Sequence, residues 1–189
     1  MNKKTLLITL LLFGYAASAQ EPAGLIVKTN LLNLVAKRPG ISIEKTFSNL
    51  YGLEIAYTFG EFKNISYRDY YHYDGFLFRA KKYIVPIRKR EANAFYGVYF
   101  GDLNQTLISH RSYDETGIFS IGRDRDFTAS SLRYGGTFGV SFIPKNHFLI
   151  EGLTGVGYGN YYNVRNNLKA KLPAGYFDLQ LWLSIGYSF

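Results

Sequence analysis

The chain contains no cysteine. This absence excludes disulfide bonds, thiolate metal sites and membrane attachment through a lipidated cysteine. Long apolar runs are absent as well, since the only sustained one, residues 5–15, is well short of the roughly 20 residues that a spanning helix needs. No part of the sequence therefore predicts a transmembrane helix.

The short apolar run has the flanks of an export signal. Lys3 and Lys4 precede it, and Ala-Ser-Ala at positions 17–19 follows it. A positive segment, an apolar segment and a small-x-small site are typical of a cleaved signal peptide. We predict a signal peptide over residues 1–19 and a single mature domain over 20–189. The alternative, an uncleaved anchor, is disfavoured because the run is too short.

Acidic residues are fewer than basic ones, with 14 against 22. Removal of Lys3 and Lys4 leaves 20 basic residues, so the mature chain carries a formal charge of about +6. This modest charge on an exported chain does not predict a nucleic-acid partner. It favours the phosphate-bearing lipid, or lipopolysaccharide, of an outer membrane.

What the chain has in abundance is aromatic and glycine residues in alternating patterns. Aromatic residues make up 17% of the sequence, and there are 19 glycines. The last segment, residues 176–189, alternates apolar and more polar positions, which predicts a strand between lipid and a polar space. It is longer than the roughly 9 to 11 residues that a membrane-spanning strand requires. Its apolar positions are Phe177, Leu179, Leu181, Leu183, Ile185, Tyr187 and Phe189.

Similar patterns predict eight strands in all. The connections at 48–49, 89–93 and 144–146 are short, and those at 61–75, 110–129 and 161–175 are long. Outer-membrane barrels have short periplasmic turns and long outer loops. We therefore predict an all-β, eight-stranded antiparallel transmembrane barrel with both mature termini periplasmic and a lumen filled by side chains. The predicted strands are 25–35, 41–47, 50–60, 76–88, 94–109, 131–143, 147–160 and 176–189.

Three segments near the start resemble the opening of a family of small Bacteroidota outer-membrane β-barrels of unknown function. They are Val-Lys-Thr-Asn-Leu-Leu at 27–32, Pro-Gly-Ile-Ser-Ile-Glu-Lys at 39–45 and Tyr-Gly-Leu-Glu-Ile-Ala-Tyr at 51–57. The resemblance implies an eight-stranded barrel inserted by the barrel assembly machinery, and it implies no catalytic residues. The terminal pattern Leu183, Ile185, Tyr187 and Phe189 also resembles the signal that this machinery recognises.

Charged residues on the polar faces of the predicted strands are the main candidates for a site. We interpret them as mutually neutralising ion pairs that fill the lumen, because unpaired charge in a confined space is costly. A proton or ion relay is the alternative. No metal site or cofactor is predicted, since His72 has no second ligand at useful spacing. The predicted lumen residues are Lys28, Glu44, Glu54, Lys82, Arg133, Glu151 and Asp178.

One short motif raises an enzymatic alternative. His110-Arg111-Ser112 resembles the His-x-Ser element of lipid A deacylases, which are also eight-stranded outer-membrane barrels. Ser112 is a nucleophile only if a histidine with an orienting carboxylate activates it. Tyr113 departs from the asparagine of that family, and the stretch reads as a polar loop. We therefore predict a protein that is not an enzyme and has no catalytic residues.

Three functional hypotheses follow. The leading one is an outer-membrane protein with a structural or surface-interaction role and no open pore, which binds a partner through loops 61–75 and 110–129. The second is a lipid A hydrolase that uses the His110 and Ser112 region. The third is a soluble lipocalin-like ligand binder, which requires the apolar face of residues 177–189 to be buried in protein.

Overall fold

The computed structural model describes residues 24–36, 40–65, 68–109, 112–113, 120–121, 125–144, 147–166 and 174–189. The predicted signal peptide lies outside these residues and stays a prediction. Over the described part of the chain, no helix is long and apolar enough to cross a membrane.

Eight antiparallel strands close into a barrel, which confirms the predicted fold. Each strand pairs with its neighbours along the chain, and the first pairs with the last from Ile26 opposite Ser188 to Asn30 opposite Ser184. Closure leaves the barrel without a free edge. A free edge in lipid would have backbone N–H and C=O groups without hydrogen-bond partners. The strands are β1 (Leu25–Asn30), β2 (Gly40–Phe47), β3 (Tyr51–Ile65), β4 (Arg68–Tyr83), β5 (Ala92–Ser109), β6 (Arg125–Phe142), β7 (Phe148–Asn166) and β8 (Gly175–Ser188).

The two ends of the barrel differ. The terminal end carries the start of β1, the end of β8 and the connections 48–50, 84–91 and 143–147. The loop end carries the remaining connections, including the 3-10 helix Leu31–Ala36 and a two-residue pairing of Ser112–Tyr113 with Ser120–Ile121. The tight turn after β2 has Ser48 and Asn49 at φ 49° and 52°. Two successive left-handed residues are the geometry that matches the twist of a hairpin.

Alternation along the strands separates an apolar outer surface from a polar interior. In β2, Ser42, Glu44 and Thr46 are buried, whereas Ile41 and Ile43 are exposed. The exposed apolar face of β8 is the one predicted from the sequence, and Phe177, Leu179 and Leu181 are 67–69% exposed. The requirement of the lipocalin-like hypothesis, that this face be buried in protein, is not met within the described residues.

Several strand bounds differ from the predicted ones. The predicted loop 61–75 is instead a continuation of β3 and β4, which pair out to Ile65 opposite Arg68. Tyrosine and phenylalanine favour strands even where polar residues interrupt the apolar alternation, and Phe62 stacks against Tyr71 with ring centroids 6.3 Å apart. Similarly, β6 begins within the predicted loop 110–129, and β7 continues to Asn166. The first strand is shorter than predicted, because the helix replaces it after Asn30.

The register of β4 corrects one predicted lumen residue. Lys82 was expected inside, and this is wrong, because Lys82 is exposed while Arg79 and Lys81 are buried. The prediction treated Tyr83 as lipid-facing because Tyr83, Val85 and Ile87 form an apolar alternation. The strand ends at Tyr83, whose hydroxyl points inward and donates to Oε1 of Glu44 at 2.8 Å. Residues 76–83 therefore lie on the faces opposite to the predicted ones.

Candidate functional site

A cluster of buried charges occupies the barrel interior. Nζ of Lys28 lies 2.7 Å from Oε2 of Glu44, 2.7 Å from Oε2 of Glu54 and 2.8 Å from Oε1 of Glu151. The side chains of Lys28, Glu44 and Glu54 are each no more than 1% exposed. Ion pairs at these distances and depths are screened very little by solvent.

Lys81 and Arg79 complete the cluster from β4. Nζ of Lys81 contacts Glu44 at 2.8 Å, Glu54 at 2.6 Å and Glu151 at 3.0 Å. Nη1 of Arg79 lies 2.6 Å from Oε1 of Glu54. The three carboxylates therefore face three cations. This charge balance is what a buried network needs, because a single uncompensated charge there is costly.

Strand register explains why these residues meet. Glu44 pairs with Glu54 between β2 and β3, and Glu54 pairs with Arg79 between β3 and β4. Two like charges directly opposite each other destabilise a sheet unless a cation lies between them. Lys28 and Lys81 supply that cation from either side.

The three glutamates also have a spacing that suits a metal ion, with ligand oxygens within 4.8 Å of one another. Oxygen-rich carboxylate sites of this kind suit hard cations. Here the ammonium groups of Lys28 and Lys81 contact all three carboxylates. The three glutamates are therefore members of a salt-bridge network, and the two ammonium groups take the place that a metal ion would occupy.

A second polar layer lies nearer the loop end. Nη2 of Arg79 donates to Oε1 of Gln180 at 3.2 Å, and its guanidinium lies 4.0 Å from the ring centroid of Trp182. Oδ2 of Asp178 accepts hydrogen bonds from the hydroxyl of Tyr99 and from Nε2 of Gln180, both at 2.9 Å. Arg79 therefore links the ion cluster to the Asp178 layer.

Beyond this layer, a cavity of about 420 Å³ opens toward the loop end. Arg133 lines it and is only 7% exposed. Its Nε and Nη2 atoms are buried and have no hydrogen-bond partner among the described residues. Half-buried tyrosines stand around the same cavity, including Tyr73 and Tyr176.

The terminal end of the interior is closed by apolar side chains. Ile26, Ile143 and Leu149 are buried against one another, and Ile87 from the connection after β4 packs on them. Tyr83, Phe95 and Leu153 form a further buried cluster. Large side chains therefore fill the interior at several levels, as expected for a barrel of eight strands.

The predicted lumen residues divide into two places. The structure brings together Lys28, Glu44, Glu54 and Glu151, and it places Arg133 and Asp178 along the loop-end cavity instead. Lys81, Arg79 and Tyr83 are cluster members that the prediction missed. The sequence feature that could have identified them is the pair Phe76 and Phe78. These two side chains face outward, so the alternation along the strand places residues 79, 81 and 83 inside.

Most of the predicted enzymatic motif lies outside the described residues. His110 lies outside the described residues, as do Asp114, Glu115 and Asp124, acidic residues near the motif that could supply the orienting carboxylate. The backbone of Ser112 pairs with that of Ile121 in the short loop-end hairpin. The hydrolase hypothesis therefore stays a prediction.

The predicted assembly signal lies on the outer face of β8. Leu183, Tyr187 and Phe189 are 41%, 47% and 68% exposed, and Ile185 is half-buried. The rings of Tyr187 and Phe189 meet edge to face with centroids 4.9 Å apart. The four side chains form one continuous apolar row at the end of the chain.

Two solved structures are similar to this chain. The crystal structure of Neisserial surface protein A (NspA) superposes with a TM-score of 0.53 at 11% sequence identity, over 88% of this chain and 96% of that chain. The solution structure of outer membrane protein H (OprH) from P. aeruginosa in DHPC micelles gives a TM-score of 0.45 at 16% identity, over 88% of this chain and 99% of that chain. At 11% identity, the likeness to NspA supports the fold alone.

Sequence comparison adds a family. No curated protein sequence matches the chain. A family profile, in contrast, matches most of its length. The chain belongs to the family described as Protein of unknown function (DUF3575), whose profile matches residues 5–181.

Proposed function

We propose that this protein is an integral barrel of a bacterial outer membrane with a structural or envelope-interaction role, without an open pore and without enzymatic activity. The observation that carries the proposal is the outer surface. Apolar side chains such as Val98, Leu181 and Phe100 are 53–69% exposed all around a closed ring. Contiguous apolar surface of this extent requires a non-aqueous surrounding.

The interior supports the absence of a pore. Arg79, Tyr83 and Phe95 are among the largest fully buried side chains, and they project into the lumen. A diffusion channel needs a water-filled interior, which barrels of eight strands are too narrow to hold. The balanced ion cluster of Lys28, Lys81, Arg79 and three glutamates favours a rigid plug over a relay, because each lysine contacts all three carboxylates.

Orientation and partners are part of the proposal. The terminal end carries the short turns, so it faces the periplasm, and both mature termini lie there. The row Leu183, Ile185, Tyr187 and Phe189 serves recognition by the barrel assembly machinery. The loop end then faces outward, where lipopolysaccharide and surface partners meet the β3–β4 hairpin and the connection 110–124. A Bacteroidota origin is part of the proposal, and it depends only on the resemblance of the opening segments to that family.

Electrophoretic heat-modifiability tests the architecture and the location together. The protein is recovered from the outer-membrane fraction and compared with and without boiling in SDS. We expect a closed barrel to keep its fold unboiled and to migrate differently after boiling. Recovery in the soluble fraction without a shift would overturn the proposal. Planar-bilayer recordings of the same sample should show no stepwise conductance.

The orientation has a direct test, because the chain has no native cysteine. Lys63→Cys places a thiol on the exposed β3 end, and Glu91→Cys places one in the exposed turn after β4. A membrane-impermeant maleimide should label the first variant in intact cells and the second only after permeabilisation. The reverse labelling would contradict the proposed orientation and leave the barrel itself untouched.

A further inference from the structure

We propose that the loop-end cavity is a binding site for a phosphate-bearing ligand, with Arg133 as the anion-binding residue. The ion cluster is balanced in formal charge, with three cations on three carboxylates. Arg133 is a further cation outside it. Two nitrogen atoms of its buried guanidinium have no hydrogen-bond partner among the described residues.

The unpartnered atoms of Arg133 are the ones that recognise oxyanions. Nε and Nη2 lie on the same side of the guanidinium, and both are buried without a partner among the described residues. This pair is the side-on fork that takes two oxygens of a carboxylate or phosphate. Buried N–H donors without an acceptor are costly, above all on a charged group, so an anionic ligand in the cavity would relieve that cost.

Other donors converge on the same space. Nδ2 of Asn33 is buried without a partner and lines the cavity, as do the side chains of Tyr73 and Tyr176. The Tyr73 hydroxyl lies 3.5 Å from Oδ1 of Asn33, and the Tyr176 hydroxyl lies 2.9 Å from Oγ of Ser131. A carboxylate offers two oxygens, which the fork of Arg133 already takes. A phosphate group offers a third oxygen to these additional donors.

The backbone makes room for this arrangement. Arg133 on β6 and Tyr176 on β8 are separated by β7, where both residues face Gly159. A Cβ at Gly159 would collide with the ring of Tyr176. The missing side chain lets the Tyr176 ring lie over β7 toward Arg133.

The other residues that line the cavity indicate what the ligand carries besides its phosphate group. Its volume of about 420 Å³ lies in the range of small-molecule sites and exceeds what a phosphate group alone fills. Trp182 and Leu103 supply apolar wall, and the carboxylate of Asp178 lines the same space. Asp178 repels a second anion and accepts from a donor, so the ligand carries a hydroxyl or amino group beside its phosphate.

Resistance of the folded barrel to urea, with and without inorganic phosphate, tests the site. The full-length mature protein is refolded in a detergent that contains no phosphate. Arg133→Gln is the test variant. Arg88→Gln is the matched control, since Arg88 is 64% exposed and belongs to the turn at the opposite end. Phosphate stabilises folded proteins in general through exclusion from their surface. We therefore expect it to raise the unfolding midpoints of the wild type and of Arg88→Gln more than that of Arg133→Gln, which keeps only this general effect.

A second arm identifies the source of the phosphate. Short-chain phosphatidic acid is added to the same micelles, with the uncharged diacylglycerol as its control. A midpoint shift with phosphatidic acid alone assigns the site to a lipid headgroup, and a shift with both probes assigns it to free phosphate compounds as well. We expect Arg133→Gln to lower the apparent affinity for the effective probe at least tenfold.

The proposal is overturned if neither probe shifts the wild type, or if Arg133→Gln responds as the wild type does. Because Nε and Nη2 of Arg133 have no hydrogen-bond partner among the described residues, Arg133→Gln should fold and keep its heat-dependent migration. If that variant fails to fold, Arg133→Lys tests whether the two-nitrogen fork binds phosphate, because a lysine keeps the charge without the fork. Weaker phosphate binding in Arg133→Lys supports the site, and unchanged binding overturns the role of the fork. The measurement needs no membrane, so its outcome is independent of the proposed location.

Discussion

Lys28 and Glu151 stand 123 positions apart in the chain, and Nζ of the lysine lies 2.8 Å from Oε1 of the glutamate. They lie on β1 and β7, which are not paired, because β8 runs between them. At this level β8 contributes the small residues Ser184 and Gly186, opposite Glu151 and Lys28 respectively. The long side chains therefore meet across β8, and the contact forms only when the barrel closes.

Removing both members of this pair should destabilise the barrel by less than the sum of the two single losses. Glu151→Gln leaves Lys28 and Lys81 short of one carboxylate, and we expect a loss of about 3–5 kcal/mol in the free energy of unfolding. Lys28→Met combined with Glu151→Gln restores the balance, so the double variant should lose less than the sum of the two single losses. Urea unfolding of the refolded barrel measures this cycle. Additive losses would show that the two side chains do not interact.

Two adjacent lysines test the register of β4. Lys81→Met removes a cation from the buried cluster and should cost about 3–5 kcal/mol of unfolding free energy. Lys82→Met alters an exposed side chain and should change it by no more than about 0.5 kcal/mol. Denaturant midpoints of both variants decide the matter. The opposite order would restore the sequence-based placement of Lys82 in the lumen.

The cost of placing a charge on the outer surface of the barrel should depend on its depth in the membrane. Val98 is 63% exposed in the middle of β5, and Ile84 is 59% exposed just beyond β4 at the terminal end. Val98→Arg should cost about 2–4 kcal/mol in a lipid bilayer, whereas Ile84→Arg should cost about 0–1 kcal/mol. Unfolding in lipid vesicles compares the two. Equal costs would argue against a membrane-embedded outer face.

Interior glycines should be more sensitive to substitution than outward ones. A Cβ at Gly157 would collide with the Tyr134 carbonyl oxygen and the Tyr99 hydroxyl, whereas one at Gly152 meets nothing within 4 Å. Gly157→Ala should therefore destabilise by about 1–3 kcal/mol through overpacking, and Gly152→Ala should have little effect. Thermal or urea midpoints of the two variants provide the comparison. A harmless Gly157→Ala would mean that the β6 backbone at Tyr134 can shift as well as the Tyr99 side chain.

The enzymatic alternative has its own test. We expect cells that express the wild type, Ser112→Ala or an empty vector to have the same lipid A acylation pattern by mass spectrometry. The proposed function requires no nucleophile, so the serine should be dispensable. Loss of an acyl chain with the wild type, together with its retention in Ser112→Ala, would establish the hydrolase instead.

The sequence predicted the fold because a barrel in lipid imposes a rule on every second residue. Ser42, Glu44 and Thr46 are buried and Ile41 and Ile43 are exposed, as their alternation predicts. The rule failed beyond the apolar band, where residues 61–65 and 68–75 continue as strands. It also failed at Tyr83, because tyrosine is apolar enough to suit lipid and polar enough to donate to a buried glutamate.

By itself, the sequence determined the closed all-β architecture, the outward face of β8 and the polar character of the lumen, since these depend on local alternation. Only the tertiary structure decided which charges meet. Closure and stagger of the strands bring Lys28 onto Glu151 and Lys81 into the same cluster. They also place Arg133 beside a cavity, where its Nε and Nη2 atoms meet no acceptor of a described residue. Period-two patterns specify the face of each residue, whereas contacts across the lumen depend on the register of all eight strands.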